Sequence, residues 1–211
     1  MTRGRLITFE GIDGSGKSTQ IARLEAFLKE RGISVVLTRE PGGTELGEKI
    51  RSLLLNDEMG VETEMLLFFA ARAEHMTRVI LPALEKGIWV LSDRFTDATY
   101  AYQVGGKAFS AERCEALERW TLGEFKPDCT LLFDIPPEVA AERMGLRAGA
   151  SDRFERESRD FFRRVREAYL AREQKDPARF LTLDATKTAD ELTAQIRAVS
   201  YTHLRAHETG A

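Results

Sequence analysis

The chain has 211 residues, of which 43% are hydrophobic and 31% are charged, as in a single soluble domain or slightly more. Its net charge of −3 argues against a partner that is polymeric nucleic acid, and no apolar run approaches the ~20 residues that cross a bilayer. The first residues lack the long apolar region of a secretory signal, so we expect a cytoplasmic protein. Cys114 and Cys129 have no metal-type spacing and are expected to be reduced thiols in or near the core.

Strand-like and helix-like segments alternate along the chain. The predicted strands cover residues 5–10, 33–38, 88–93, 128–135 and 179–185. Helical spacing follows the first strand as far as Gly32, returns at residues 46–54, and runs through a longer stretch at 62–86. The strands are almost wholly apolar, which is typical of strands covered on both faces of a parallel sheet. This order predicts one doubly wound α/β domain over residues 1–200, with five parallel strands flanked by helices.

The segment GIDGSGKST (11–19) directly follows the first predicted strand and opens a helix, which is the context of a phosphate-binding P-loop. Its glycines allow the backbone to approach phosphates, and the helix N-terminus adds a positive dipole. Lys17 is expected to reach the β- and γ-phosphates of a nucleotide, and Ser18 is expected to ligate magnesium. The loop also contains a carboxylate, Asp13, which raises the question of what else the site must hold.

Basic residues follow several separate strands or lie in loops. They are Arg39, Arg72, Arg94, Arg143, Arg147 and Arg153. One triphosphate does not require so many cations, whereas a second phosphorylated substrate does. Because the strand ends of an open α/β sheet form one crevice, Arg39 and Arg94 can converge there. Asp93 ends the third predicted strand, where an acidic residue of a P-loop protein can hold magnesium. The pattern favours a phosphotransferase that acts on small molecules.

The predicted acceptor is itself a phosphate. Such an acceptor is mostly dianionic at pH 7 and needs no general base, so the main difficulty is bringing two anions together. Arginine, lysine and magnesium solve that difficulty by spreading the charge of the transferring group. A nucleotide-dependent switch without turnover is the alternative from another class, although the sequence has no Asn-Lys-x-Asp guanine motif.

Longer motifs resemble those of the thymidylate kinase family, whose bacterial members make dTDP from dTMP and ATP. The resemblance covers residues 5–200 and rests on FEGIDGSGKST, TREPGGT, LLFFAAR, DRFTDATYAYQ, KPD and DRFERES. It implies a P-loop NTPase-type sheet with a short lid, ATP as the donor, Mg²⁺ as the cofactor, and a homodimer built from long helices. Another nucleoside monophosphate kinase, for dUMP or dCMP, stays open as the runner-up.

The resemblance also implies the site residues. ATP is expected at Gly11, Ile12, Asp13, Gly14, Ser15, Gly16, Lys17, Ser18, Thr19 and Arg143. The acceptor dTMP is expected at Asp13, Arg39, Phe68, Arg72, Arg94, Thr99, Tyr102 and Gln103. The catalytic residues are expected to be Lys17, Arg94, Arg147 and Arg153, and the metal ligands Ser18 and Asp93.

Particular contacts with the acceptor follow from the same resemblance. Phe68 resembles the aromatic residue that stacks on thymine. Arg72, one helical turn later on the same face, resembles the arginine that donates to thymine O4. Thr99 and Gln103 resemble further base contacts, and Tyr102 resembles the tyrosine that disfavours a ribose 2′-hydroxyl.

The implied contacts with the phosphate and the sugar answer the question raised by Asp13. Arg39 and Arg94 resemble the arginines that hold the acceptor's phosphate. Asp13 resembles the acidic loop residue that contacts the 3′-hydroxyl of the acceptor and helps to position its phosphate-binding arginine. The loop is therefore expected to serve both substrates, with its backbone toward the donor and Asp13 toward the acceptor.

Residues 143–153 are expected to form the lid, which carries Arg143, Arg147 and Arg153 as in the bacterial subgroup whose P-loop lacks an arginine. This lid is a residue longer and poorer in arginine than is typical of the family. Which lid arginine touches the transferring phosphoryl group therefore stays open, and stacking on adenine is an alternative role for Arg143. Residues 201–211 break the preceding helical pattern and are expected to be a disordered tail, or one foreign to the native chain.

Overall fold

The computed structural model describes residues 3–145 and 159–208, apart from the side chains of residues 200–208. The strands in these ranges are β1 Leu6–Glu10, β2 Val35–Arg39, β3 Trp89–Asp93, β4 Cys129–Asp134 and β5 Phe180–Asp184. The α-helices are α1 Lys17–Lys29, α2 Glu45–Asn56, α3 Val61–His75, α4 Leu81–Glu85, α5 Thr96–Thr99, α6 Ala111–Leu122, α7 Pro137–Gly145, α8 Arg159–Lys175 and α9 Ala189–Glu208. Two wider π-helical segments, Met76–Ile80 and Tyr100–Gly106, continue α3 and α5.

The strands form one parallel sheet in the order β2-β3-β1-β4-β5, which confirms the predicted fold class. From β1 the chain crosses to the β2 edge, and from β3 it crosses to the other side of β1. The loops after β1 and β3 therefore lie at the point where the strand order reverses, outside the carboxyl ends of the strands. In open α/β sheets this is the crevice in which ligands bind.

Both faces of the sheet are covered, which explains why its strands are apolar throughout. Ile7 and Phe9 pack into a core with residues of α1, α8 and α9, whereas Leu6 packs on the other face with Ile80 and Leu84. The predicted thiols are free and buried. None of the helices in the described ranges is both long enough and apolar enough to cross a membrane.

The helix predicted at 62–86 is present but contains a wide turn. Helix α3 passes into the π-helical segment Met76–Ile80 before α4 begins, and the backbone N–H of Leu81 donates to Met76 O. Pro82 has no N–H to donate to a carbonyl in the preceding turn, so the regular hydrogen-bond ladder cannot continue there. A register with one additional residue per turn is a known response to such an interruption.

The second wide segment, Tyr100–Gly106, is not predicted from the sequence, because Gly105 and Gly106 suggest a turn. In the structure these glycines lie against α8, where an added Cβ would collide with the side chains of Ala168 and Phe161. The absence of a side chain lets α8 pack directly on this segment.

Helix α9 begins at Ala189 and continues to Glu208, beyond residue 201, where the predicted tail begins. The tail, as a disordered segment or one foreign to the native chain, stays a prediction. The apolar side chains of Leu192 and Ile196 anchor the first turns of α9 in the core, and helical hydrogen bonds extend the helix from there. Residues 209–211 lie outside the described ranges.

A buried carboxylate on α5 connects three elements below the crevice. Asp97 Oδ1 accepts hydrogen bonds from Arg172 Nε on α8 at 2.8 Å and from Arg179 Nη2 at 3.1 Å. Its Oδ2 accepts one from Arg179 Nη1 at 2.7 Å, just before β5. Burial alone would raise the pKa of Asp97, but the two guanidinium groups lower it below its usual value.

We expect Asp97→Asn to lower the free energy of unfolding by about 3–5 kcal/mol at pH 7, because two cations lose their buried partner. Asp97 has a lowered pKa in the folded state, so its contribution is present above the ordinary value of 3.8 and is lost as the pH falls through the folded value. Urea unfolding between pH 7 and pH 3 should show the difference from wild type shrinking at the acid end. The exposed pair Asp160–Arg163 supplies the control Asp160→Asn, for which a change below about 1 kcal/mol is expected. Equal losses in both variants would contradict this role of Asp97.

Candidate active site

The P-loop connects β1 to α1 and depends on glycines at two positions. Gly11 has a φ of +133°, and a Cβ there would lie 2.6 Å from the carbonyl oxygen of Phe133. Gly16, with a φ of +92°, turns the chain into α1. L-residues with side chains rarely adopt these conformations, so the backbone curve of the loop requires glycine. Ser18 and Thr19 are exposed in the first turn of α1.

Lys17 lies inside this curve and is almost fully buried. Its Nζ donates to Gly11 O at 2.9 Å and to Ile12 O at 3.1 Å, and it lies 3.9 Å from Asp13 Oδ1. Burial and the neighbouring Arg94 cation lower the pKa of Lys17. The ammonium group is thus held at the centre of the loop, surrounded by carbonyl oxygens.

Asp93 ends β3 beside the loop, since it is in register with Phe9 on β1. Its Oδ1 is buried and has no hydrogen-bond partner among the described residues. A carboxylate oxygen and a serine hydroxyl such as that of Ser18 are hard oxygen ligands of the kind Mg²⁺ takes, and Mg²⁺ is usually held by few protein ligands together with substrate phosphates. The residues present therefore fit this ion.

Arg94 joins the P-loop to the pocket beyond it. It has a φ of +72°, unusual for an arginine, which turns the chain sharply at the end of β3. Its Nη2 donates to Asp13 Oδ1 at 2.8 Å and to the Tyr102 hydroxyl at 3.2 Å. Burial would raise the pKa of Asp13, but Arg94 and Lys17 lower it below its usual value, so Asp13 stays ionised.

A second layer supports Arg94 from below. Its Nη1 donates to the Tyr169 hydroxyl at 3.3 Å, and that hydroxyl donates to Glu10 Oε2 at 2.9 Å. Glu10 Oε1 accepts from the backbone N–H of Phe95 at 2.7 Å. Burial and the nearby Asp97 raise the pKa of Glu10 to about 8, against the opposing influence of Arg94. The sequence analysis did not single out Glu10 or Tyr169.

Arg72 is held almost completely out of solvent on α3. Its Nε donates to Glu40 Oε2 at 2.7 Å, and its Nη2 donates to Thr99 Oγ1 at 3.0 Å. Glu40 Oε1 lies 2.9 Å from Nδ1 of His75, which is also buried. The third nitrogen of Arg72, Nη1, is buried without a hydrogen-bond partner among the described residues. The guanidinium is therefore fixed, with one donor left over.

A cavity of about 260 Å³ lies between the P-loop, the ends of β2 and β3, and α3. All eight residues predicted to bind the acceptor line it: Asp13, Arg39, Phe68, Arg72, Arg94, Thr99, Tyr102 and Gln103. Asp93 also lines it. The structure thus brings together residues that are separated by up to ninety positions in the sequence.

Two charged residues of the cavity wall are absent from the sequence prediction, Glu40 and Arg51. Arg51 Nη1 donates to Pro41 O at 3.0 Å, which fastens α2 to the turn after β2. A basic residue on an amphipathic helix gives no signal of this contact. The glutamate of the TREPGGT segment was visible as part of a motif, but its partner Arg72 lies far away in the sequence.

The other predicted residues lie at the edge of this cavity or outside it. Arg39 is at the exposed rim, where its Nη2 donates to Glu48 Oε2 at 2.8 Å. Arg143 donates to the carbonyl oxygens of Ala185 at 2.8 Å and Thr186 at 3.4 Å, in the loop after β5. Arg147 and Arg153 fall outside the described residues, as does most of the predicted lid.

A P-loop at the carboxyl edge of a parallel sheet, facing a second pocket lined by arginines, defines a nucleotide-dependent phosphotransferase. The family model for thymidylate kinase matches residues 9–196. A thymidylate kinase of Burkholderia vietnamiensis is 55% identical over 203 residues, covering 94% of this chain and 98% of the relative. One from Thiobacillus denitrificans is 54% identical over 193 residues, covering 92% and 94% of the two chains.

The crystal structure of thymidylate kinase from Ehrlichia chaffeensis superposes with a TM-score of 0.76 at 32% identity, over 93% of this chain and 98% of that one. The chain belongs to the thymidylate kinase family.

Proposed function

We propose that this enzyme transfers the γ-phosphoryl group of ATP to the phosphate of dTMP, giving dTDP, with Mg²⁺ as cofactor. The observation that carries the choice of acceptor is the partnerless Nη1 of Arg72 in the wall of the cavity beside the P-loop. A buried donor requires an acceptor, because leaving it unsatisfied costs about 1–3 kcal/mol. Thymine O4 supplies that acceptor, whereas cytosine presents an amino donor at the same position.

The cavity wall supports a nucleotide acceptor of this size. Phe68 offers an aromatic face to the base, and Tyr102 lies where the sugar of the acceptor is expected. Arg94, at the P-loop end of the cavity, and Arg39, at its rim, offer guanidinium groups to the acceptor's phosphate, for which paired N–H donors are well suited.

Phosphoryl transfer then depends on cations rather than on a base. The transfer is in-line, from the donor held by the P-loop to the acceptor held in the cavity. Lys17 neutralises the β- and γ-phosphates, and Arg94 draws the acceptor's phosphate toward them. When bound at Asp93 and Ser18, Mg²⁺ would supply further neutralisation of the phosphates. Arg147 and Arg153 are proposed to complete this set from the lid.

The remaining contacts with ATP are proposed at the P-loop itself and beside the loop after β5. The backbone N–H groups from Gly11 to Thr19 bind the phosphates of ATP. Arg143, on α7, donates to carbonyl oxygens of the loop after β5, and its flat cation is proposed to stack on adenine.

Asp13 is proposed to serve the acceptor. Its carboxylate already holds Arg94, and its side chain is partly exposed to the cavity. It can therefore accept a hydrogen bond from the acceptor's 3′-hydroxyl while it fixes the arginine that meets the phosphate. Both contacts orient the same molecule.

An acceptor panel with ATP and Mg²⁺ tests the proposal. We expect ADP release to depend on dTMP, with dUMP and dCMP much poorer acceptors, when kcat/KM is measured in a coupled assay. Lys17→Ala should retain the fold and lose activity by roughly 10²–10³-fold, as for removal of one transition-state donor. ATP binding without ADP release in the presence of any nucleoside monophosphate would favour a nucleotide-dependent switch instead. Near-normal turnover by folded Lys17→Ala would contradict the P-loop mechanism.

A double-mutant cycle tests the role of Asp13. Asp13→Ala should lower kcat/KM for dTMP and leave ATP affinity equal or slightly higher, because a negative charge near the donor phosphates is removed. The loss should be smaller for the 3′-deoxy analogue of dTMP, which lacks the hydroxyl. Because a hydrogen bond to a charged group contributes roughly 1.5–3 kcal/mol, the coupling should fall in that range. Additive losses from the two changes would show that Asp13 does not contact the sugar.

We also propose a homodimer, as the family resemblance implies. Helices α2, α3 and α6 pack side by side and carry exposed apolar side chains. Leu66 on α3 is 58% exposed and Trp120 on α6 is 84% exposed, with Leu46 and Leu53 half-exposed on α2. A two-fold axis lets such a surface cover itself with the same surface of a second copy.

Leu66→Glu should shift the protein from dimer to monomer, because the substitution places a charge in a contact that excludes water. Analytical ultracentrifugation over a range of concentrations measures the shift. Leu81→Glu, on α4 and outside the three-helix layer, serves as the control and should leave the mass unchanged. A monomeric wild type, or a dimer that Leu66→Glu leaves intact, would contradict this interface.

A further inference from the structure

A buried carboxylate behind the cavity has no part in the mechanism given so far. Glu64 lies on α3 and is completely inaccessible to solvent. Its Oε1 accepts a hydrogen bond from Nε2 of Gln103 at 2.8 Å. Both of its oxygens also accept from Lys107 Nζ, at 2.9 and 2.7 Å. Gln103 lines the cavity and is 1% exposed.

The chemistry of this contact fixes the orientation of the Gln103 amide. An ionised carboxylate only accepts hydrogen bonds, so the NH₂ end of the amide must face it. A neutral side chain at position 64 would allow the amide to flip, since its two ends are nearly equal in size. Lys107 Nζ forms a salt bridge with this carboxylate, 2.7 Å from Oε2.

The opposite end of the amide is then left for the cavity. Among the described residues, no group donates a hydrogen bond to Oε1 of Gln103. Gln103 lies one turn beyond Thr99, which itself holds Arg72. The wall thus presents a fixed donor, Arg72 Nη1, and a fixed acceptor, Gln103 Oε1, in the lining of the same cavity.

We infer that Glu64 is a positioning residue for acceptor specificity: it holds the Gln103 carbonyl toward the base and thereby selects a pyrimidine with an N–H beside the carbonyl that Arg72 reads. This inference rests on the proposed function. Thymine and uracil carry that N–H at N3, whereas cytosine has an unprotonated N3 acceptor. Two acceptors facing each other in a buried site repel, and sites built for a hydrogen bond reject partners that lack it.

Glu64→Gln removes the constraint while nearly preserving shape. The new amide can either accept from Gln103 or donate to it, so Gln103 can present its NH₂ end to the cavity. We expect the ratio of kcat/KM for dTMP to that for dCMP to narrow about 5- to 10-fold, chiefly through a rise with dCMP. Glu62→Gln is the matched control, with the same substitution on the same helix at an exposed residue 3.7 Å from Arg113. It should leave the ratio unchanged.

Stability must be separated from selectivity in this test. Asp97→Asn removes a buried carboxylate that does not line the cavity, so it should lower Tm and keep the ratio. If Glu64→Gln does not fold, the double variant Glu64→Gln with Lys107→Met removes both charges together, which is often tolerated at buried pairs. The ratio of kcat/KM for dTMP to that for dCMP is measured for this double variant as for the single one.

These outcomes separate the role of Glu64 from the proposed function. A folded Glu64→Gln enzyme keeps the wild-type ratio of kcat/KM for dTMP to that for dCMP if neither value changes or if both fall by the same factor. Either result overturns the role of Glu64 and leaves the proposed function intact. A wild type without preference for dTMP over dCMP contradicts the proposed function and this inference with it. A narrowed ratio in Glu64→Gln, with the ratio unchanged in Glu62→Gln and Asp97→Asn, supports the inference.

Discussion

The pairing of three pocket arginines with carboxylates is the constraint on which the site depends. Arg94 is held by Asp13, Arg72 by Glu40, and Arg39 by Glu48. Several cations that converge in a crevice of low polarity repel one another, and a buried cation without a partner is destabilising by several kcal/mol. The carboxylates make the cluster compatible with folding, and they also aim it.

The pairs differ in exposure, and this difference suits different tasks. The side chains of Arg72 and Glu40 are 1% and 4% exposed, so their geometry is fixed and expensive to change. Those of Arg39 and Glu48 are 53% and 43% exposed, where water screens the pair and an incoming phosphate can compete for the arginine. A rigid inner pair is appropriate for reading a base, and an exchangeable outer pair is appropriate for capturing an anion.

The sequence predicts those features that depend on local pattern. Apolar strands, the P-loop glycines and the helix carrying Phe68 and Arg72 follow from short-range spacing, and the sheet they predict is confirmed. The roles of the site residues stay predictions, although the eight acceptor residues share one cavity. The partners of those residues were not predictable, because Glu40 and Arg72, like Glu64 and Gln103, are brought together only by the fold.

The proposed recognition of the base therefore depends on carboxylates whose partners lie far away in the sequence. A guanidinium or an amide on the cavity wall offers a hydrogen-bond pattern only if its orientation is fixed, and in a protein interior a carboxylate fixes it most firmly because it accepts without donating. Glu40 holds Nε of Arg72, so that Nη1 is the nitrogen without a hydrogen-bond partner among the described residues. Glu64 holds the NH₂ end of the Gln103 amide, so that Oε1 is the end left for the cavity. One buried carboxylate thus defines a donor and the other an acceptor, both in the lining of one cavity. Thymine presents the complementary acceptor and donor at O4 and N3, so in the proposed mode of recognition the two carboxylates specify the base without touching it.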